Sequence, residues 1–336
     1  MADLTGQAPV EPPAAPFAFP TPACVLAAAR RLREVVRRTP LERSAALSEA
    51  AGVDVFLKLE GMQRTGSFKV RGACNLVASL SPAERARGLV TASAGNHGAG
   101  VALAASLFGA RATVFVGESA PETKRRRIAR LGAELRVVPG GYDEAHHAAV
   151  AHAEETGAFY VHAFSDPAVV AGQGTVGLEV LEELPAVRTI VLPVGGGGLA
   201  NGVGMLARAV APSLRVVGAQ TPETSAMHAS LAAGELRCPP PADTLCEGLA
   251  GETDQAALAL ARRTLDEVVL VSEAAVRRAI RWLYVEEGVV AEGSAAVAAA
   301  ALLEGAVAAV EGPVVVVLTG SNLDAARLAS ILTEEG

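Results

Sequence analysis

The sequence predicts an α/β fold in which mostly parallel, twisted sheets are covered by helices. Short segments that are rich in valine and apolar on both faces are typical of strands buried inside a parallel sheet. Helical patterns separate most of them, and this β–α alternation favours parallel sheets between layers of helices. The candidate strands are Val55–Leu59, Gly88–Ala92, Ala112–Val116, Glu134–Val138, Phe159–His162, Thr189–Pro193, Arg215–Ala219, Glu267–Val271 and Val314–Leu318.

Length and composition describe a well-buried globular protein. The chain has 336 residues, 51% of them hydrophobic and 19% charged, which suits one large or two packed domains. Its net charge of −7 argues against bulk attraction to nucleic acid or to an anionic membrane. The 4 cysteines lack CxxC spacing and favour reduced thiols in a cytoplasmic setting. No secretory pattern or membrane-spanning apolar run is evident.

Three further segments have structural interpretations. Residues 1–20, rich in proline and alanine, are expected to form a flexible tail. Apolar spacing predicts a helix from Pro22 to about Arg38, and segment 38–44 is expected to run into a short helix. The basic run Lys124–Arg127 is expected to be the solvated face of a helix.

A group of histidines raises the question of a metal site. His146, His147 and His152 lie within one predicted helix, but no two of them have the i, i+4 spacing that places two imidazoles on one helix face. A solvated helix is therefore the favoured interpretation.

Segments with useful chemistry follow predicted strands, at the edge where parallel sheets bind ligands. Lys69 lies among apolar and small residues, where burial would lower its pKa and make it a nucleophile toward carbonyl groups. Taken alone, such a lysine is more often an ordinary surface residue. The functional interpretation gains support because two glycine-rich turns, at 93–98 and 193–202, and Thr319 follow other strands.

The glycine run Gly195, Gly196, Gly197 and Gly198 follows an apolar strand and opens a helix. Without side chains, its backbone N–H groups can close around a phosphate, assisted by the helix N-terminus. A dinucleotide fingerprint is the alternative, but the acidic residue expected about twenty positions later is missing. The phosphate of a smaller cofactor is therefore favoured over NAD.

Several motifs occur in the order of one known family. They are QRTGSFKVRGA (63–73), SAGNHG (93–98), DPAVVAGQGT (166–175), PVGGGGLANG (193–202), Glu247-Gly248, Glu292 and LTGSN (318–322). From about Pro22 onward the chain resembles the pyridoxal-phosphate-dependent threonine/serine dehydratases, or ammonia-lyases, of fold type II (tryptophan synthase β-like), which are kin of serine racemase.

The resemblance implies a two-domain architecture with the cofactor between the domains. The large domain would comprise residues 21–87 and 166–336, and residues 88–165 would form a smaller inserted domain. A homodimer or homotetramer is also implied.

The resemblance further implies pyridoxal 5′-phosphate as cofactor, with Lys69 as its Schiff-base ligand and as the base at the substrate Cα. The cofactor would contact Phe68, Lys69, Asn96, Gly195, Gly196, Gly197, Gly198, Gly248, Glu292 and Thr319. The substrate carboxylate would be received by Thr65, Ser93, Ala94, Gly95, Asn96 and His97.

Two departures from the racemase branch bear on function. The racemases carry a serine at the position of Ala94, poised to protonate the opposite face of Cα, and alanine cannot donate a proton. The racemases also bind a divalent cation through acidic residues after the strand that here ends at Ala219. Gln220 stands at the leading position and Glu223 alone is acidic nearby, so no metal is expected.

The expected activity is β-elimination from L-threonine or L-serine, giving a 2-oxo acid and ammonia. Threo-3-hydroxyaspartate or phenylserine would require only a changed pocket. A β-replacement enzyme of the cysteine-synthase type shares the first half of the reaction and stays an alternative. The alternative from a different class is an NAD-binding Rossmann protein or a catalytically silent ligand-binding sensor.

Overall fold

The computed structural model describes residues 19–240 and 242–333. The tail predicted at 1–20 lies outside the described residues except for its last two positions. No helix of the described part of the chain is long and apolar enough to span a membrane.

The described strands form two sheets. The larger sheet contains β1 (Leu41–Ser44), β2 (Val55–Leu59), β7 (Thr189–Pro193), β8 (Arg215–Gln220), β9 (Glu267–Leu270) and β10 (Val314–Leu318), in the order β1-β2-β10-β7-β8-β9. The smaller sheet contains β3 (Leu89–Ala92), β4 (Ala112–Gly117), β5 (Glu134–Val138) and β6 (Phe159–Tyr160), in the order β5-β4-β3-β6. Every pairing is parallel except β1 with β2.

Helices lie between most of the strands. They are α1 (Pro22–Leu32), α2 (Ala45–Ala51), α3 (Lys69–Ser79), α4 (Pro82–Arg87), α5 (Asn96–Leu107), α6 (Glu122–Arg130), α7 (Tyr142–Thr156), α8 (Pro167–Glu183), α9 (Gly198–Val210), α10 (Ala226–Ala233), α11 (Gln255–Thr264), α12 (Glu273–Glu287), α13 (Gly293–Leu303) and α14 (Ala325–Thr333). Short 3₁₀ turns occupy Glu60–Met62 and Pro222–Thr224.

The predicted α/β class with mostly parallel sheets is confirmed. Strands β7 and β10 are buried at every position, which explains why their sequences are continuous apolar runs. The small sheet lies within 88–165, although the domain limits themselves stay a prediction. Helix α3 packs mainly on α5 and α8, so the helices beside Lys69 join the two sheets.

The structure corrects the predicted end of the first helix and adds a strand before α2, the short helix that was predicted to follow segment 38–44. Helix α1 ends at Leu32 rather than near Arg38, because the Gln63 side chain bonds both the N–H and the C=O of Arg37, each at 2.8 Å. Segment 41–44 forms the antiparallel edge strand β1 before α2. Two exposed charged side chains in that strand gave no apolar alternation to indicate it.

A buried network of charged side chains lies beneath the start of α3. Arg71 donates hydrogen bonds to Glu60, at 2.8 and 2.7 Å, and to Glu179, at 2.6 and 2.9 Å. Lys58 lies 2.7 Å from Glu179 and donates to the Thr39 carbonyl. Although burial opposes it, the two carboxylates raise the pKa of the Arg71 guanidinium. The network therefore binds α3 to β2 and α8 through paired charges.

Replacing Arg71 with alanine is expected to lower the free energy of unfolding by about 3–5 kcal/mol. The loss arises because Glu60 would stay buried with its principal cation removed. Urea denaturation followed by circular dichroism measures it.

The matched control is Arg43→Ala, which removes an ion pair with Asp54 whose side chains are 52% and 55% exposed. That change is expected to cost about 0–1 kcal/mol, because solvent screens an exposed pair. Equal losses in the two variants would contradict the role assigned to the buried network.

Candidate active site

Lys69 is the first residue of α3, and the segment before it is hydrogen-bonded to the chain that leaves β10. The Phe68 N–H donates to the Thr319 carbonyl at 3.1 Å, and the Ser321 N–H donates to the Gly66 carbonyl at 3.0 Å. Between them, residues 67 and 320 form an isolated antiparallel bridge. Two motifs that are far apart in sequence therefore meet as one unit.

The Lys69 amine is partly buried and lies among neutral groups. Its Nζ donates to the Ala163 carbonyl at 3.1 Å and lies 5.4 Å from the centre of the Phe68 ring. Burial lowers the pKa of the Lys69 amine to about 8. A substantial fraction of this lysine is therefore a neutral nucleophile near physiological pH.

Lys69 differs from the other lysines of the chain, which are only Lys58 and Lys124. Lys58 is fully buried against Glu179, and Lys124 is bonded to Glu247. Among the described residues, no carboxylate forms an ion pair with Lys69. The one lysine predicted to react is thus the one whose charge no carboxylate stabilises.

The glycine run lies between β7 and α9 and is closely packed by neighbouring groups. A Cβ atom on Gly196 would lie 2.4 Å from the Phe164 ring, and one on Gly198 would lie 3.0 Å from the Phe164 Cα. Gly197 has a φ of +98°, which favours glycine. The loop therefore needs glycine at these positions, and its N–H groups lie at the N-terminus of a helix.

The SAGNHG turn connects β3 to α5. The Ser93 hydroxyl accepts a hydrogen bond from the Gly95 N–H at 3.2 Å. The Asn96 amide donates to Glu292 at 2.7 Å and accepts from Asn322 at 2.5 Å. Burial raises the pKa of the Glu292 carboxyl above its usual range. The turn is thereby joined to the segments after α12 and β10.

His97 is placed differently from the other residues of this turn. Its side chain is buried, with Nε2 2.9 Å from the Val161 carbonyl, and Nδ1 has no partner among the described residues. Burial, together with the nearby Lys69 charge, lowers the pKa of His97 to about 3. The imidazole is therefore neutral and directed at the β6 segment, and the contact of His97 with substrate stays a prediction.

Ser294 joins Thr319 to the loop that contains Gly248. The Thr319 hydroxyl donates to the Ser294 carbonyl at 3.4 Å, and the Gly248 N–H donates to the Ser294 hydroxyl at 2.8 Å. Ser294 follows Glu292 closely at the start of α13, yet nothing in the sequence singled it out. Its position at the junction of three segments is visible only in the structure.

Thr65 carries an unused polar group. Its hydroxyl is buried and has no hydrogen-bond partner among the described residues, and the same holds for Ser67. The Thr65 carbonyl accepts from Arg127 at 2.8 Å and from Asn322 at 2.9 Å. The loop is therefore held by its backbone while its hydroxyl is available to a ligand.

The basic run on α6 is not simply the solvated face that the sequence predicted. The Arg126 side chain is 60% exposed, as expected. Arg127, however, reaches Thr65, and Lys124 reaches Glu247, the residue before Gly248. The expectation was wrong for Arg127, which is partly buried against Thr65, a partner from a distant part of the chain, whereas Lys124 forms an exposed ion pair at the surface.

Other sequence features have structural roles. Asp166 caps α8 through the Ala168 N–H at 2.7 Å, and a Cβ on Gly172 would lie 2.7 Å from the Arg71 carbonyl. The DPAVVAGQGT motif therefore permits close packing of α8 on α3.

In α7, His146 bonds Tyr160 at 2.8 Å and His152 bonds Arg136 at 3.1 Å. Within the described ranges, no group of three or more histidine, cysteine or acidic side chains could hold a metal ion.

Phe164 and Ala163 are further site residues that the sequence did not indicate. They follow β6, where Ala163 accepts from Lys69 and Phe164 covers the glycine run. Their proximity to DPAVVAGQGT was the only available signal.

The arrangement fits a ligand that carries a phosphate and an electrophilic carbonyl. The backbone N–H groups of the enclosed glycine run can bind the phosphate. The amine of Lys69, which has no carboxylate partner among the described residues, can react with the carbonyl. The free hydroxyl of Thr65 suits a carboxylate, an acceptor that needs donors. Pyridoxal phosphate bearing an amino acid combines these features.

Comparison with known proteins agrees with this chemistry. A family described as pyridoxal-phosphate dependent enzyme matches residues 32–320. An L-threonine ammonia-lyase of Thermotoga maritima is 43% identical over 309 residues, which cover 91% of this chain and 77% of that protein. Two solved structures are also similar.

Maize serine racemase superposes with a TM-score of 0.90 at 31% identity, covering 93% of this chain and 97% of that one. Threonine deaminase isoform 2 from Solanum lycopersicum gives 0.87 at 31% identity, covering 96% and 99%. A match across nearly the whole chain leaves no support for the NAD-binding alternative. The chain belongs to the pyridoxal-phosphate-dependent enzymes of fold type II, in the threonine/serine dehydratase family.

Proposed function

We propose that the protein is a pyridoxal-phosphate-dependent ammonia-lyase that converts L-threonine, or L-serine, to a 2-oxo acid and ammonia. The observation that carries this proposal is the partly buried Lys69 amine, without a carboxylate partner among the described residues, beside the enclosed glycine run. The names of the similar proteins, an L-threonine ammonia-lyase and a threonine deaminase, support the choice of substrate.

Bound pyridoxal phosphate supplies an electron-withdrawing ring that stabilises negative charge on the Cα of an attached amino acid. In this proposal Lys69 would hold the cofactor aldehyde and Phe68 would lie against the ring. The glycine run, Gly195 to Gly198, would bind the phosphate. Thr319 would interact with the ring nitrogen, and Asn96, Gly248 and Glu292 would contact the remaining edge.

Lys69 is the proposed general base. With a pKa of about 8, its neutral amine accepts the Cα proton at physiological pH. The hydroxyl group then leaves the adjacent carbon, so the substrate loses one water molecule. The resulting enamine takes up water and releases ammonia, leaving the 2-oxo acid. Lys69 therefore needs both its position at the start of α3 and its lowered pKa.

The substrate carboxylate is proposed to bind at Thr65 and the turn Ser93–His97. The Thr65 hydroxyl is a buried donor without a partner among the described residues, and the turn opens α5, whose N-terminus favours an anion. Ser93 adds a hydroxyl beside these N–H groups. Two different elements thus position the carboxylate while Lys69 acts at Cα.

Elimination is favoured over racemisation because of Ala94. Racemisation requires a proton donor on the face of Cα opposite the base, and a methyl group cannot supply a proton. The similarity to maize serine racemase is therefore one of fold. The alanine at position 94 lacks the hydroxyl group with which a serine could donate a proton.

We also propose a cytoplasmic location and a homodimeric or homotetrameric state. The described cysteines form no disulfide, and burial raises the pKa of the Cys74 thiol to about 12, which keeps it inert. The oligomeric state follows only from the family.

The direct test is release of 2-oxo acid and ammonia from L-threonine, L-serine, their D-forms, threo-3-hydroxyaspartate and phenylserine. Release from L-threonine or L-serine is expected, and Lys69→Ala should abolish it because the base is lost. Lys124→Arg is the control, since arginine preserves the ion pair with Glu247.

The remaining outcomes choose between alternatives. Release from only an unusual substrate would keep the mechanism and change the substrate. If a protein with bound cofactor released neither 2-oxo acid nor ammonia from any of these substrates, the result would favour a β-replacement reaction. Turnover by Lys69→Ala close to that of the unmodified enzyme would contradict the proposed role of Lys69.

The reactivity of Lys69 should depend on pH in a characteristic way. In protein from which the cofactor has been removed, modification of Lys69 by an amine reagent should rise with pH, reach half of its maximum rate near pH 8 and then level off. The reason is that only the neutral amine reacts, and burial has lowered its pKa from 10.5.

Peptide mass spectrometry separates the modification of Lys69 from that of Lys124, whose rate serves as the internal comparison. A rate at Lys69 that rises without levelling off up to pH 10 would contradict the lowered pKa.

The contact between Arg127 and Thr65 predicts an effect on substrate binding. Arg127→Gln should raise KM for L-threonine about tenfold and change kcat less. The reason is that the loop containing Thr65, which is proposed to bind the substrate carboxylate, would lose a charged hydrogen bond. Arg126→Gln is the matched control, since Arg126 is the neighbouring, exposed position of the same helix. Equal KM values in the two variants would argue against the proposed carboxylate site.

A further inference from the structure

Gln220, the last residue of β8, uses its whole side-chain amide to bind three backbone groups. It is fully buried. Nε2 donates to the Val194 carbonyl at 2.9 Å and to the Thr224 carbonyl at 2.5 Å, while Oε1 accepts from the His228 N–H at 2.9 Å. Both hydrogens of the NH2 group and one acceptor site are therefore occupied.

Two of the three groups bound by Gln220, those of Val194 and His228, belong to segments that flank the glycine run. Val194 precedes Gly195 directly, and its N–H donates to the Ala219 carbonyl at 3.1 Å. His228 belongs to α10, and a Cβ on Gly197 would lie 2.9 Å from Met227 of the same helix. Gln220 thus joins the end of β7 to the helix that packs on the other side of the loop.

The positions of the Val194 and Thr224 carbonyl groups require a donor that carries two hydrogens at the end of the residue 220 side chain. The carbonyl oxygens of Val194 and Thr224 both approach Nε2, and two buried oxygen atoms this close together need a shared partner that carries hydrogen or positive charge. A side-chain amide meets that demand, and it also supplies the acceptor for His228. Neither a hydroxyl nor a carboxylate can replace all three bonds.

We propose that Gln220 is a positioning residue for the cofactor phosphate, whose amide fixes the glycine run without a metal ion. The inference rests on the proposed assignment of this run to the phosphate. Gln220 touches neither cofactor nor substrate in this account, so its effect appears in cofactor affinity rather than in the chemistry at Cα.

The substitution Gln220→Glu removes the two hydrogens of the amide but keeps the shape of the side chain, so it tests the hydrogens alone. The variant side chain has the same length but, when ionised, it places a carboxylate beside two carbonyl oxygens. Glu223 lies on the adjoining turn with one buried oxygen that has no partner among the described residues. Carboxylate and carbonyl oxygens of this kind are the ligands that Mg²⁺ and Ca²⁺ prefer. A divalent cation should therefore replace the lost hydrogens.

The test is the dissociation constant for pyridoxal phosphate, measured by absorbance as cofactor is titrated into protein resolved of it. The unmodified protein should bind equally well in EDTA and in millimolar Mg²⁺ or Ca²⁺. Gln220→Glu should bind at least about tenfold more weakly in EDTA and recover with either ion. Thr189→Val is the matched control, since it removes a hydrogen bond to the Glu311 carbonyl at the other end of β7.

Three results would overturn the proposal. They are undiminished affinity of Gln220→Glu in EDTA, a loss that neither ion reverses, and an equal loss in Thr189→Val. If Gln220→Glu fails to fold, Gln220→Met keeps the length without any polar atom. It should lose cofactor affinity at every cation concentration, and retained affinity would refute the role of the amide.

Cofactor affinity is measured without substrate. A protein that binds pyridoxal phosphate but does not act on the amino-acid panel would therefore contradict only the proposed function.

Discussion

The site depends on the junction between residues 66–68 and residues 319–321. Backbone hydrogen bonds at 3.1 and 3.0 Å join these segments, so the start of α3 is fixed to the end of β10. Because β10 lies between β2 and β7, the same junction places Lys69 near the loop that leaves β7. Parallel pairing brings the carboxyl ends of these strands to one edge, and the chemistry of the site follows from that arrangement.

Two cations on α3 have opposite environments and opposite roles. Arg71 is fully buried but surrounded by carboxylates, so its charge is retained and it anchors the helix. Among the described residues, Lys69, two positions earlier, bonds a carbonyl and no carboxylate, and burial lowers the pKa of its amine to about 8. The fold therefore places a permanently charged guanidinium that anchors α3 beside the amine that we propose as the catalytic base. Carboxylates pair with the guanidinium and, among the described residues, none pairs with the amine.

Much of this site could be predicted because its signals are local. A run of glycines after a strand indicates a phosphate site by residue type, and the interpretation of Lys69 is supported by the other motifs that follow strands. Phe164 and Arg127 could not be predicted, since each acts through contacts with segments far away in sequence. Strand β1 was missed because an edge strand with exposed Glu42 and Arg43 has no apolar pattern. Likewise, the burial of His97 against Val161 depends on how β3 and β6 pair.

The central claim is that Lys69 is the residue to which the cofactor is attached. The most direct measurement is borohydride reduction of the cofactor-bound protein, followed by proteolysis and mass spectrometry of the labelled peptide. With only three lysines in the chain, the assignment is unambiguous. The account predicts that the phosphopyridoxyl group is found on Lys69. A label on Lys58 or Lys124, or a protein that binds the cofactor without a reducible bond to any lysine, would contradict it.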